Sequence, residues 1–241
     1  MINSIAGGGT LLSFPALIAI GRDPIVANAT NTVALLPGSL AGVLGFRREL
    51  LASRRWLFLL IVPSIAGGVA GAWLLINTPS STFERLVPYL ILGATLLFAV
   101  QETIAKRLGR TGRAHEAPTP TAIVAALLFQ SAVAIYGGYF GAGIGILMLA
   151  ALGLIGMSDL HQMNALKNLF AICINGVAAF IFSFSGMVNW VDAGLMAVGS
   201  IIGGFIGARA ARRLGRRFVR GTVIGIGLLM TVVMLARTWW A

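Results

Sequence analysis

Long apolar runs separated by short polar joints extend along the whole chain. A helix that crosses a membrane needs about 20 mostly apolar residues. Runs near this length lie at about 2–20, 25–46, 56–76, 86–104, 121–138, 140–156, 165–185, 190–208 and 218–236. The region 121–156 is too long for one span and holds glycines at which a helix can break, namely Gly137, Gly138, Gly141, Gly143 and Gly145. The pattern predicts an all-α, polytopic transmembrane helical bundle with glycine-broken helices.

The charged residues are few and mostly basic. They make up 10% of the chain, against roughly 25% in a soluble domain. The 18 Lys and Arg residues oppose 7 Asp and Glu residues, which gives a net charge of +11. The basic residues lie in the joints between apolar runs, which is the positive-inside pattern of membrane proteins. We therefore expect a multi-pass protein embedded in the lipid bilayer, with no nucleic acid partner.

A segment of the first half of the chain recurs in the second half. Residues 63–72 read PSIAGGVAGA and residues 199–208 read GSIIGGFIGA, a shift of 136 positions. The same shift places Gly7-Gly8-Gly9 over 143–145, and one further residue places Asn31 over Asn168. Two copies of one unit therefore account for the chain.

The domain boundaries follow from this repeat. We expect transmembrane repeat 1 at 1–104, a basic cytoplasmic linker at 105–120 and transmembrane repeat 2 at 121–241. The apolar helix at 121–138 precedes the glycine cluster of the second copy, and the first copy has only a few residues in the matching place. The first copy is therefore expected to begin inside a helix, with its first helix missing.

The basic joints differ between the two copies. Arginines fill the joint at 47–55, before the first PSIAGG-type helix, whereas the equivalent joint at 185–189 has no Lys or Arg and basic residues follow at 209–220. Basic joints stay cytoplasmic, so equivalent joints should lie on opposite sides, and the two repeats should be inverted. Inverted repeats are typical of secondary transporters, with a substrate site near the midplane, although some channels share this architecture.

Polar residues and glycines interrupt the apolar runs at matching places in the two copies. Glycine-rich loops can present N–H groups to an anion, or they can let helices pack closely; for GGVAG at 67–71 we favour packing. The ammonium group of Lys167 can either reach the membrane interface or meet an anionic substrate. The predicted substrate-binding residues are Asn3, Ser4, Gly7, Gly8, Gly9, Thr10, Asn28, Thr30, Asn31, Gly143, Gly145, Asn164, Lys167 and Asn168.

The sequence has no motif that indicates catalysis, a cofactor or a metal. It contains no HExxH, no G-x-S-x-G and no carboxylate pair in an apolar run, so we expect no enzyme activity and no cofactor. Cys173 is the single cysteine, which excludes a disulfide framework within the chain and argues against a carrier that relays its substrate through cysteines. The acidic residues, Asp192 among them, lie in or beside joints and are expected to be solvated.

Five stretches resemble the TauE/SafE sulfite-exporter family, also called the toluene-sulfonate uptake permease family. They are NSIAGGGTLLSFPALIAIG at 3–21, NATNTVALLPGS at 28–39, FRREL at 46–50, NALKNL at 164–169 and GGFIGARAARRL at 203–214. The resemblance extends over nearly the whole chain. It implies a multi-pass carrier of the bacterial inner (cell) membrane that exports sulfite, sulfonates or related small organosulfur or carboxylate anions by alternating access. A homo-oligomer is compatible with the sequence.

Two other functions stay open on the sequence alone. An anion channel would show flux without saturation or coupling. A non-transporting membrane assembly protein would have its polar residues clustered in loops, and not at two helix starts.

Overall fold

The structure is a computed structural model, and it describes residues 9–43, 47–111, 119–157, 159–201 and 216–240. Within these ranges all regular secondary structure is α-helical, so the prediction of an all-α membrane bundle is confirmed. The helices are α1 (Thr10–Ala19), α2 (Pro24–Val43), α3 (Arg47–Ala52), α4 (Arg54–Ile76), α5 (Ser80–Thr111), α6 (Pro120–Tyr139), α7 (Ile144–Leu154), α8 (Leu160–Phe184), α9 (described over Trp190–Ile201) and α10 (Arg216–Trp240).

The bundle combines long and short helices. Among the described residues, four helices are long and apolar enough to cross a membrane: α4, α6, α8 and the Ser80–Val100 part of α5. The apolar run at 140–156, for which both a span and a re-entrant segment were compatible with the sequence, contains the eleven-residue α7. At 1.5 Å per residue α7 extends about 16 Å, about half of the hydrocarbon core. The ten-residue α1 is similarly short.

Two glycines allow the chain to leave α6 and begin α7. Gly141 has φ of +79° and Gly143 has φ of +77°, in the left-handed region that a residue without Cβ adopts at little cost. The predicted glycine break is therefore confirmed at this point. Gly137 and Gly138, which we expected in the same break, lie inside α6.

Small residues bring α4 and α6 into close contact. A Cβ atom at Gly71 would overlap the backbone carbonyl of Ile135, and one at Gly138 would overlap the carbonyl of Gly68. Backbones approach this closely where small residues line a helix interface. The packing interpretation of the 67–71 glycines is confirmed, and Gly138 serves the same interface.

The α2 and α8 helices pack against each other and run in opposite directions. Near the start of α2, the Thr30 hydroxyl accepts a hydrogen bond from the backbone N–H of Asn189, which follows the end of α8, at 3.0 Å. Beyond the end of α2, the Ser53 hydroxyl donates to the Gln162 side-chain carbonyl near the start of α8, at 3.0 Å. Each end of α2 is therefore next to the opposite end of α8.

The helix starts recur with the shift found in the sequence. Pro24 begins α2 and Leu160 begins α8, 136 positions later; Arg54 begins α4 and Trp190 begins α9, again 136 positions later. The helices α2 and α8 are thus equivalent elements of the two copies. Their antiparallel packing places one copy directly against the other.

An ion pair joins the α1–α2 joint to the start of α9. The Arg22 Nε atom lies 2.6 Å from Asp192 Oδ2, and a second guanidinium nitrogen donates to Asp192 Oδ1 at 3.2 Å. The Asp192 backbone N–H also donates to Asn189 Oδ1 at 3.1 Å. Asp192 is buried, with 9% of its surface exposed. The expectation of a solvated Asp192 is therefore wrong, because an arginine from the other copy covers and neutralises it.

Candidate functional site

A cavity of about 50 Å³ lies between α1, α2, α7 and α8. Its wall consists of Thr10, Thr32, Leu35, Leu36, Ser39, Phe140, Gly141, Ile144, Gly145, Lys167, Asn168, Ala171 and Asn175. One water molecule needs about 10–15 Å³ measured in this way, so the cavity has room for a small guest of a few heavy atoms. The α2 residues on its wall lie about 12–22 Å from the start of that helix, which places the cavity toward the middle of the bundle.

Equivalent stripes of α2 and α8 form two sides of the cavity. The wall residues of each helix are spaced three and four positions apart, so they share one helix face. The α2 stripe is Thr32, Leu35 and Ser39, and the α8 stripe is Asn168, Ala171 and Asn175. Each member of the first stripe corresponds to one of the second under the 136-residue shift. The cavity therefore lies at the contact between the two copies.

The starts of both short helices reach the cavity. Thr10, the first residue of α1, is on the wall, as are Gly141, Ile144 and Gly145 around the start of α7. The residues that cap α1 and α7 are Gly9 and Gly143, so no cap side chain accepts a hydrogen bond from the first backbone N–H groups of either helix. The first N–H groups of a helix have no partner inside the helix, and its dipole makes this end positive. Two such ends face the same space.

Lys167 brings a cation to the cavity wall. Its side chain is 3% exposed, and its Nζ donates to Asn164 Oδ1 at 2.9 Å. The Asn164 amide in turn donates to the Leu160 carbonyl at 2.7 Å, which orients the oxygen toward the ammonium. A Cβ atom at Gly145 would lie 3.2 Å from Lys167 Cδ, so this glycine makes room for the lysine stem.

No acidic side chain pairs with Lys167 in the part of the chain that the structure describes. The ion pair found there joins Arg22 to Asp192 at the start of α9. A buried ammonium without a carboxylate partner is expensive unless a bound anion compensates it. Burial also contradicts the interpretation of Lys167 as a lysine that reaches the interface.

Sequence comparison identifies the family to which this architecture belongs. The model of the family described as sulfite exporter TauE/SafE matches residues 1–234. The chain belongs to the TauE/SafE family. It is accordingly a multi-pass membrane transporter, as the apolar helices of the described residues also indicate. No solved structure matches the chain significantly.

Curated relatives of this TauE/SafE chain are named as transporters. A "Probable membrane transporter protein" of Haemophilus influenzae is 28% identical over 240 residues, covering 99% of this chain and 91% of the relative. "Probable membrane transporter protein YfcA" of Escherichia coli K12 is 27% identical over 97% of this chain and 84% of the relative. "Probable membrane transporter protein ORF9" of a Sinorhizobium species is 27% identical over 98% and 87%.

The predicted site residues of this TauE/SafE protein fall into three groups. Thr10, Gly145, Lys167 and Asn168 line the cavity. Six others lie off its wall: Gly9, Asn28, Thr30, Asn31, Gly143 and Asn164. Asn3, Ser4, Gly7 and Gly8 lie outside the described residues.

Protein groups engage several of the residues that lie off the wall. The Asn28 amide donates to the Tyr139 carbonyl at 2.9 Å, and Thr30 accepts from the Asn189 backbone. Asn31 hydrogen bonds to the Ser13 hydroxyl. These polar groups hold α2 against its neighbours.

The other three residues off the wall are the caps of the two short helices and the hydrogen-bond partner of Lys167. Gly9 and Gly143 are the caps from which α1 and α7 begin, and Gly9 O accepts from the Ser13 hydroxyl at 2.9 Å. Asn164 binds the ammonium group of Lys167. The 136-residue shift between helix starts pairs Lys167 with Asn31. The shift of 137 that aligns Asn31 with Asn168 would instead pair Lys167 with Thr30. Both Lys167 and Asn31 are buried, with 3% and 1% of their surfaces exposed.

Sequence reasoning missed several polar wall residues, above all Ser39 and Asn175. A signal for both was present. Ser39 lies seven positions after Thr32, and Asn175 lies seven positions after Asn168, so helical periodicity places each pair on one face. The repeat shift also makes Ser39 and Asn175 equivalent. Combining the helical period with the repeat shift would have extended the predicted site about two turns farther along both helices.

Proposed function

We propose that this protein is a secondary transporter that exports small anions, such as sulfite, sulfonates or related organosulfur and carboxylate anions, by alternating access. The convergence of two short-helix starts and the buried Lys167 on one cavity carries the proposal. Broken helices whose positive ends meet an anionic group near the midplane are a recurring feature of transporters with inverted repeats. The family name and the names of the relatives are consistent with it.

The polarity of the cavity favours an anion over a cation or a neutral solute. Backbone N–H groups, the Lys167 ammonium and the amides of Asn168 and Asn175 all offer hydrogen to a guest. No carboxylate is among the wall residues that the structure describes. Donors fixed in this way replace the water that an oxyanion loses on entering the membrane.

Alternating access is supported by the contacts between the two copies. The equivalent helices α2 and α8 pack antiparallel, as inverted repeats require. Contacts between the copies lie on both sides of the cavity: Ser53 with Gln162 at one end, and Thr30 with Asn189 at the other. Making one set of contacts while breaking the other would open the cavity to one side at a time.

Flux measurements can separate the carrier from its two alternatives. Purified protein in proteoliposomes is given radiolabelled sulfite at increasing concentration, with and without unlabelled sulfite on the opposite side. A carrier gives saturable flux that is accelerated by substrate on the opposite side. Flux that rises linearly with concentration and shows no such acceleration would indicate a channel. Flux equal to that of protein-free liposomes would contradict transport of this substrate and favour an assembly role.

A further inference from the structure

We infer that Asn175 is a second substrate-binding residue, and that it forms a binding position separate from the one at Lys167 and nearer the opposite end of α8. The inference rests on the proposed transport function. It assigns to the cavity two successive positions for an oxyanion, one at each end of the α8 stripe.

The amides of Asn168 and Asn175 differ from the other asparagine amides around them. Asn28, Asn31, Asn164 and Asn189 each bond to protein groups. Asn168 and Asn175 line the cavity, and their side chains have no hydrogen-bond partner among the described residues. Each of these half-buried amides offers two donors and one acceptor oxygen to the cavity. A guest in the cavity would satisfy them.

The two amides are too far apart to hold one compact anion. Seven residues separate them on α8, which corresponds to about 10 Å along the helix axis. Lys167 widens the separation, because its Nζ points back toward Asn164 in the preceding turn. Asn175 instead lies beside Gly141, where an added Cβ would come within 3.4 Å of Asn175 Oδ1. Each end of the stripe therefore has its own donors: Lys167 and Asn168 near Gly145, and Asn175 near Gly141.

Because α2 and α8 are antiparallel, the two positions lie toward different contacts between these helices. The first position lies toward the Ser53–Gln162 contact, whose joint at 47–55 is predicted to be cytoplasmic. The second lies toward the Asn189–Thr30 contact. An anion moving outward would reach Lys167 first and Asn175 second.

The test compares substrate affinity from the two sides of the membrane. Right-side-out and inside-out vesicles carry wild type, Asn175→Leu, Asn168→Leu or Asn77→Leu at matched protein level, and the KM for radiolabelled sulfite is measured in each. Asn77 is the control, because its exposed amide bonds only within α4, to Trp73 O at 2.7 Å. Thermal stability of each purified variant identifies any loss of folding.

We expect Asn175→Leu to raise KM about tenfold for sulfite offered from the non-cytoplasmic side, with little change from the cytoplasmic side. Asn168→Leu should show the opposite preference, and Asn77→Leu should match wild type. Wild-type KM on both sides in a folded Asn175→Leu would overturn the inference, as would the same sidedness for both cavity amides. Absence of saturable flux in wild type would instead overturn the proposed function itself.

Discussion

The Arg22–Asp192 ion pair should act as a latch that keeps the cavity closed on the non-cytoplasmic side. It joins the joint before α2 to the start of α9, so it connects the two copies. At the opposite end the positions 136 residues away are Ser158 and Trp56, which carry no charge, and the described Ser53–Gln162 bond is neutral. Asp192→Asn removes the charge and keeps the shape of the side chain.

The size of the effect follows from how exposed the pair is. The Arg22 side chain is 41% exposed and that of Asp192 is 11% exposed. A fully exposed pair contributes about 0–1 kcal/mol, and breaking a fully buried pair costs about 3–5 kcal/mol. We take about 1–2 kcal/mol for this intermediate case, which corresponds to a roughly 5- to 30-fold change in the ratio of two conformations.

Thiol labelling measures this ratio. Cys173→Ser removes the native cysteine, and Thr32→Cys places one on the cavity wall. A membrane-impermeant thiol reagent is then added to either side of oriented vesicles. Asp192→Asn should speed labelling from the non-cytoplasmic side by about 5- to 30-fold. The charge swap Arg22→Asp/Asp192→Arg should restore slow labelling. Unchanged rates in Asp192→Asn, or a charge swap that labels as fast as the single variant, would refute the latch.

Three further predictions concern the glycines and the topology. Gly145→Val should displace the Lys167 side chain from the space beside residue 145 and raise the KM for sulfite several-fold at normal protein level. A wild-type KM would show that this space does not position Lys167. Gly138→Ala should lower the melting temperature through overpacking of about 1–3 kcal/mol, whereas Gly93→Ala, with no atom within 4 Å of the added Cβ, should not; equal melting temperatures would contradict the packing account. Cysteines placed at 47–55 and 209–217 should label from the cytoplasmic side, and labelling from opposite sides would reject the inverted repeats.

The fold was largely predictable because its signals are local. Runs of apolar residues indicate helices wherever the bilayer is the solvent, and glycines at Gly141 and Gly143 mark the break whatever surrounds them. The length of α7 was not predictable from hydropathy, because apolar residues continue on both sides of the break. Only the backbone turns at each end set its bounds.

The site was predictable only in part because polar side chains do not reveal their partners in sequence. Asn28 and Thr30 appeared available for substrate, yet their partners lie 111 and 159 positions away. Asp192 appeared solvated because its arginine is 170 positions away. Lys167 was singled out because a lysine in an apolar helix is costly wherever it lies, and Asn168 because the sequence repeat aligns it with Asn31. Asn175 is as polar as Asn28, and only the tertiary structure shows that Asn28 donates to Tyr139 of α6 whereas Asn175 lines the cavity.

Replacement of Lys167 tests the central claim most directly. Lys167→Met keeps the length and apolarity of the stem, and Lys167→Arg keeps the charge with a different donor geometry. Gln130→Met is the matched control, because Gln130 is a buried polar residue of α6 that bonds to Ser64 at 2.9 Å, away from the cavity wall. Sulfite flux is measured in proteoliposomes at matched protein level.

The account predicts that Lys167→Met lowers apparent sulfite affinity about ten- to hundredfold, the equivalent of one charge-assisted hydrogen bond of about 1.5–3 kcal/mol. Lys167→Arg should also be impaired, and Gln130→Met should retain wild-type affinity. Wild-type flux and affinity in Lys167→Met would contradict the account, because the buried ammonium would then have no part in binding the anion.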